Sequence, residues 1–174
     1  TTLLANAMND AGICMGVFRD HNGEAMHFLS LNQQMLWAEK TDWLAPKVPS
    51  AANKKTLPAA EIYAEHIKVI SANPLRLRLF NNVPWGWKDP RNTFTLVHWL
   101  EVFPEAKVIH VLRDGRDVAL SLQARNRVAG EVFDERLNNL DFNFKLWESY
   151  VEEGLRWQKP LGKNYLQLRY EDVI

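Results

Sequence analysis

Lys107–Leu112 (KVIHVL) is a short β-branched run that passes directly into Arg113-Asp114-Gly115-Arg116-Asp117. Such a run predicts a strand buried in a parallel sheet. A strand ending in charged residues is a strong constraint, because open α/β sheets bind ligands at the carboxyl ends of their strands. Asp114 or Asp117 can cap the helix that follows, and the free N–H groups of that helix attract anions. Upstream, Leu75–Trp87 predicts another strand, with Lys88-Asp89-Pro90-Arg91 at its carboxyl end. The stretch Trp85–Ser121 thus reads as strand, helix, strand and charged turn, and it implies a phosphate-binding crevice at strand ends.

The rest of the chain supplies helices around that stretch. Thr1–Ala11 predicts a helix with Leu4, Ala7, Met8 and Ala11 on one face and Gly12 at its C-cap. A turn at His21-Asn22-Gly23 precedes a helix over Glu24–Trp37, with Phe28, Leu31, Met35 and Leu36 inward. Lys40–Thr56 is polar and reads as a surface loop. Pro58–Ala72 is a third helix with Ile62, Ile67 and Ile70 inward, stopped by Pro74. Asn92–Phe103 is apolar on most sides and predicts a buried helix, whereas Asp117–Ala129 follows the charged turn. After the polar connector Val128–Leu140 comes Phe142–Gln158, an amphipathic helix carrying Phe144, Trp147, Val151 and Gly154 on one face. Tyr165–Tyr170 alternates as a strand. Strands alternating with helices predict an α/β fold with a parallel sheet and right-handed crossovers.

Charge narrows the partner class. The chain of 174 residues carries 21 Lys plus Arg and 21 Asp plus Glu, so no overall field favours nucleic acid or a membrane surface. Between Lys107 and Arg127, however, five cations face two anions, a local anion site on a neutral protein. A single cysteine, Cys14, excludes a disulfide framework and fits a reducing, cytoplasmic setting. No run of about 18 apolar residues is present, so no transmembrane helix is expected. The five histidines are scattered without metal-ligand spacing, and neither a Gly-x-Ser-x-Gly elbow nor a Gly-x-Gly-x-x-Gly fingerprint occurs.

What is present suits a substrate with several separate anionic groups. Arg113 at a strand end can fork onto a phosphate. Ser121 follows eight residues later, close enough for a folded-back turn to bring its hydroxyl to the same anion. Lys88 can neutralise charge on a leaving oxygen. Thr1 and Thr2, at a helix N-terminus, can hold a further phosphate, although a simple N-cap is the plainer reading of those two hydroxyls. The plain alternative for Arg113, Asp114, Arg116 and Asp117 is a mutual surface ion-pair network.

WGWKDPR, FPEAKVIHVLRDGRDVALS and LRYEDVI, in that order, resemble the sulfotransferase family that uses 3′-phosphoadenosine-5′-phosphosulfate (PAPS). The similarity spans almost the whole chain and is greatest to the bacterial branch and to tyrosylprotein sulfotransferases. It implies a P-loop-NTPase-like, three-layer α/β domain over residues 1–174, with a central parallel sheet flanked by helices. By this resemblance Arg113 and Ser121 match the 3′-phosphate-binding pair, Lys88 the lysine beside the sulfuryl group, and Tyr170 a nucleotide-contacting tyrosine. Thr1 and Thr2 look like the last two residues of the 5′-phosphosulfate loop. The rest of that loop and the strand before it are missing, so the domain reads as trimmed at both ends. Relatives often place a carboxylate base some twenty residues after the Thr pair; Glu24 matches that pattern, with His27 as second choice.

The resemblance implies in-line attack of an acceptor hydroxyl or amine on sulfur, with Glu24 taking the proton, Lys88 stabilising the leaving phosphate oxygen, and PAP released. No metal is required in this reading, since Lys and backbone amides supply the positive field. A nucleotide-dependent kinase on the same scaffold and a non-catalytic nucleotide-binding module are the alternatives. The polar stretch GEVFDERLNN favours a polar acceptor such as a glycan or peptide, or a small molecule, over a lipid. Trp85 and Trp87 are read as strand packing in preference to adenine stacking.

Overall fold

The computed structural model describes residues 2–50, 57–71, 84–128 and 133–173. The chain divides into two units, Thr1–Pro104 and Glu105–Ile174, each with its own interior. Among the described residues no helix is long and apolar enough to cross a membrane.

The first unit is helical: α1 (Thr2–Asp10), α2 (Met26–Ala38), α3 (Leu57–Ser71) and α4 (Asn92–Val102). Its core forms where the predicted stripe of α2 meets α3 and α4: Phe28, Leu31, Met35, Ala60 and Trp99 are buried together. Large side chains of this kind each contribute about 1.5–3 kcal/mol when withdrawn from water. Trp85 and Trp87 pack on that cluster. The Trp87 ring lies parallel to Phe28 at 4.1 Å between centroids, and Trp85 meets Phe103 edge-on at 5.3 Å. Both tryptophans are therefore packing residues, as the sequence reading preferred.

Three expectations need correction in this unit. The buried residue of α1 is Ala5, while Ala7 and Ala11 are exposed, so the inward face is rotated from the predicted one. On α3 the small residues Ala60 and Ala64 are buried and Ile62 is 70% exposed, because close approach to α2 selects the alanine stripe. Ile67 and Ile70 lie outside the described side chains. Of the strand expected over Leu75–Trp87, residues 75–83 lie outside the described residues; the remainder contributes one parallel bridge, Cys14 with Trp85. Backbone bonds from Cys14 N to Pro84 O and from Gly86 N to Cys14 O, both 2.9 Å, hold it.

In the second unit, β1 (Val108–Leu112) and β2 (Tyr165–Arg169) pair in parallel, in register from Val108 with Tyr165 to Leu112 with Arg169. Between them run α5 (Gly115–Arg125) and α6 (Leu140–Arg156), which pack along each other, and the short α7 (Gln158–Leu161). Ile109 of β1 is exposed and its other residues are half-buried, not fully buried as the apolar run predicted. The physical reason is that β1 has one hydrogen-bonded neighbour among the described residues. Asn143, fully buried on α6, donates to Ala119 O (3.1 Å) and Leu137 O (2.9 Å) and so ties α6 to α5 and to the connector. Asp114 caps α5, accepting from the amides of Arg116 (2.8 Å) and Asp117 (3.4 Å). This settles the choice between Asp114 and Asp117 and starts the helix two residues earlier than expected.

Candidate active site

In the first unit, the turn Asp20–Glu24 delivers a carboxylate to the Lys88-Asp89-Pro90-Arg91 segment. Asp20 folds the turn by accepting the amides of Asn22 (3.0 Å) and Glu24 (2.7 Å) through one oxygen. Gly23 sits at φ +75°, a conformation that costs a side-chain-bearing residue and suits glycine. Glu24 is thereby buried, and its two oxygens are divided between two cations. Lys88 Nζ donates to Oε1 at 3.0 Å and Arg91 Nη1 donates to Oε2 at 3.2 Å. Lys88 also donates to Asn22 O at 3.1 Å, and Thr2 Oγ1 donates to that same carbonyl at 2.7 Å. The start of α1, the turn and Lys88 thus converge on one backbone oxygen.

Behind this pair lies a buried polar network. Arg91 Nη1 also donates to Asp89 Oδ1 at 2.8 Å, and the Arg91 amide donates to the same oxygen at 2.9 Å. Asn32, fully buried on α2, donates to Asp89 Oδ2 (2.9 Å) and Asn92 Oδ1 (2.8 Å). Its own oxygen accepts from Thr95 Oγ1 (2.6 Å) and Trp99 Nε1 (2.7 Å). Burial raises the Asp89 carboxyl above its ordinary range, against the pull of Arg91, and the charge of Glu24 adds to the rise. Burial opposes the Arg91 cation, but the two carboxylates outweigh it and hold its pKa above the ordinary guanidinium value. The four charged side chains sum to zero, which makes their burial affordable.

In the second unit, the carboxyl ends of β1 and β2 open into a cleft of about 360 Å³ lined by Leu112, Arg113, Asp114, Gln167, Arg169 and Glu171. The Arg113 guanidinium lies over the Tyr170 ring, 5.0 Å from its centroid, and donates through Nη2 to Asp117 at a long 3.4 Å. Its Nε is buried without a hydrogen-bond partner among the described residues. Trp147 Nε1 donates to Arg113 O at 3.2 Å, fixing the backbone beneath it. Ser121 is exposed on α5, one turn beyond Asp117 and on the same helix face.

The predicted residues therefore fall into two groups. Glu24, Lys88 and Thr2 are joined within the first unit, Arg113 and Tyr170 are stacked in the second, and Ser121 is exposed on α5 and is not among the residues that line the cleft. Thr1 lies outside the described residues. His27, the second choice as base, is stacked on Tyr63 at 4.2 Å between centroids, and its buried Nε2 has no partner among the described residues. The sequence reading missed Arg91, Asp89 and Asn32. Asn32 carried a signal, since it stands four residues after Phe28 on the apolar face of α2, where a polar residue needs buried partners.

Residues 5–174 match the sulfotransferase family. The chain belongs to the sulfotransferase family. Membership makes it a transferase of sulfuryl groups and gives it a P-loop-like α/β fold, of which the parallel β1–β2 pair and its flanking helices are part. The match takes in Glu24, Lys88, Arg113, Ser121 and Tyr170; Thr1 and Thr2 precede it. No curated protein and no solved structure matches this sulfotransferase-family chain.

Proposed function

We propose that the chain transfers a sulfuryl group from PAPS to a hydroxyl or amine of an acceptor, releasing PAP. The observation that carries this reading is the buried contact of Glu24 with Lys88 at 3.0 Å, next to the start of α1. An acceptor O–H or N–H attacks sulfur while its proton passes to Glu24, whose oxygens keep lone pairs beyond those used by Lys88 and Arg91. The bond from sulfur to the 5′-phosphate oxygen breaks, and its electron pair stays on that oxygen. Lys88 has three N–H groups; Glu24 and Asn22 O take two, leaving one for the oxygen that gains charge. Thr2, at the helix start, is assigned to the 5′-phosphate.

The 3′-phosphate is assigned to Arg113 and Ser121, and the adenosine side to Tyr170. The second unit fits such an anion. Arg113 is 40% exposed and holds Asp117 only at a long 3.4 Å, so its outer guanidinium donors can turn to an anion, and the cleft beside it is open. The chemistry then consists of positioning and charge stabilisation, with no covalent enzyme intermediate.

Thermal denaturation with PAP, ATP–Mg²⁺ and 5′-AMP tests the donor class. PAP at a hundred times its Kd should add about 2.7 kcal/mol of stability, and 5′-AMP much less. Stabilisation by ATP only together with Mg²⁺, and none by PAP, would replace this reading with a kinase.

A further inference from the structure

We propose that Asp89, braced by Asn32, is a positioning residue that locks the Arg91 guanidinium onto Glu24 and so aims the Glu24 carboxylate at the acceptor proton. This inference rests on the reading of Glu24 as the base. A structural role alone would require Asp89 only to close its own turn, which it does through the Arg91 amide. The side chain does more. One oxygen takes both the amide and Nη1 of Arg91, while the other is held by Asn32, so the carboxylate cannot rotate without breaking bonds on both sides. Asn32 is itself immobile, with four hydrogen bonds and no solvent contact.

The consequence falls on Arg91 Nη1, whose two hydrogens go to two different carboxylates, Asp89 at 2.8 Å and Glu24 at 3.2 Å. Glu24 is thus gripped from two directions, by Lys88 on Oε1 and by Arg91 on Oε2. Without Asp89 the guanidinium is free to turn, and Glu24 keeps only the flexible Lys88 as its guide. A planar fork held at one end is a stiffer guide than an ammonium on a four-carbon stem.

The test compares Asp89→Asn, Arg91→Lys and the double variant in the full chain. Turnover is followed as PAP release from PAPS, with p-nitrophenol as acceptor or with water alone where the phenol is not taken. Each single change should lower kcat about tenfold or more, since small displacements of a catalytic group are that costly. KM for PAPS should stay within about twofold, and the double variant should be no slower than the slower single, because all three break one lock. Independent losses that multiply in the double variant would overturn the proposal. Should Asp89→Asn fail to fold, Arg91→Lys keeps the charge for both carboxylates and carries the test, and undiminished kcat there would refute the lock.

A second readout needs no turnover. In nitrogen-15 spectra the two Nη groups of Arg91, identified by their absence in Arg91→Lys, should give separate signals in the wild type and merge in Asp89→Asn. A single merged signal in the wild type would also refute it. Glu24→Gln separates the two readings. Undiminished turnover in that variant removes Glu24 as base, whereas lost turnover with multiplying Asp89 and Arg91 effects removes only the lock.

Discussion

Replacing Gly154 by alanine should change sign with the residue it faces. Gly154 lies near the end of α6, directly against the His110 ring on β1. A Cβ there would stand 2.5 Å from His110 Cε1, 2.7 Å from Nε2 and 3.0 Å from Nδ1. The ring cannot retreat cheaply, because Nδ1 is hydrogen-bonded to Tyr165 Oη, and that hydroxyl donates to Gly154 O at 3.1 Å. Overfilling a packed site costs about 1–3 kcal/mol, and alanine recovers at most about 1 kcal/mol of helix propensity over glycine. The net for Gly154→Ala in the wild type is a loss on the order of 1 kcal/mol. In a His110→Ala background the obstacle is gone and only the propensity remains, so the same substitution should gain up to about 1 kcal/mol. Urea unfolding reads both, as opposite shifts of the midpoint at unchanged slope. Equal shifts of one sign in the two backgrounds would show that the ring contact does not decide the energy at this position.

His110 also makes a pH prediction. Burial lowers its pKa from the ordinary 6.5, so the folded protein binds fewer protons there than the unfolded chain. The stability it allows is complete above 6.5 and falls as pH drops from 6.5 towards the folded value; His110→Asn should lack this component when unfolding is compared at about pH 8 and about pH 5.5. Asp114→Ala removes the α5 cap and should cost about 1 kcal/mol, seen as a fall in Tm of about 2–4 °C. Lys88→Ala should depress kcat and leave PAP affinity nearly intact, while Arg113→Ala should weaken PAP binding measured by calorimetry and spare the chemical step. A Lys88→Ala variant with full turnover would remove Lys88 from the chemistry.

Features carried by short stretches were legible in the sequence. The β-branched run of β1, the Asp at the head of α5 and the 3.6-residue stripe of α2 each follow from neighbouring residues, and the structure has all three. The depth of β1 was not legible. An apolar run reports what a strand tolerates on its faces, but its burial depends on how many neighbours it acquires. Ile62 failed for a related reason, since α3 offers both an isoleucine and an alanine stripe, and helix–helix distance decides between them. The Glu24 pairings were hidden by separation: its partners Lys88 and Arg91 lie 64 and 67 residues away, and Asn32 lies 57 residues from Asp89.

Charge counting also pointed to only one of the two clusters. The surplus of cations after Lys107 marks Arg113 in the sequence, whereas Lys88 and Arg91 are matched one for one by Glu24 and Asp89. The two clusters therefore face an incoming anion differently. Arg113, with a long contact to an exposed Asp117, can exchange that partner for a phosphate at little cost. Lys88 cannot leave Glu24 without leaving one oxygen of a buried carboxylate unpaired, with Arg91 alone on the other, a loss of about 1–3 kcal/mol for an unsatisfied buried group. Whatever Lys88 stabilises must be reached with the N–H that remains while the ion pair stays closed. A neutral, locked cluster of this kind is suited to meeting charge that develops during a reaction, and the exposed arginine to holding charge that is present beforehand.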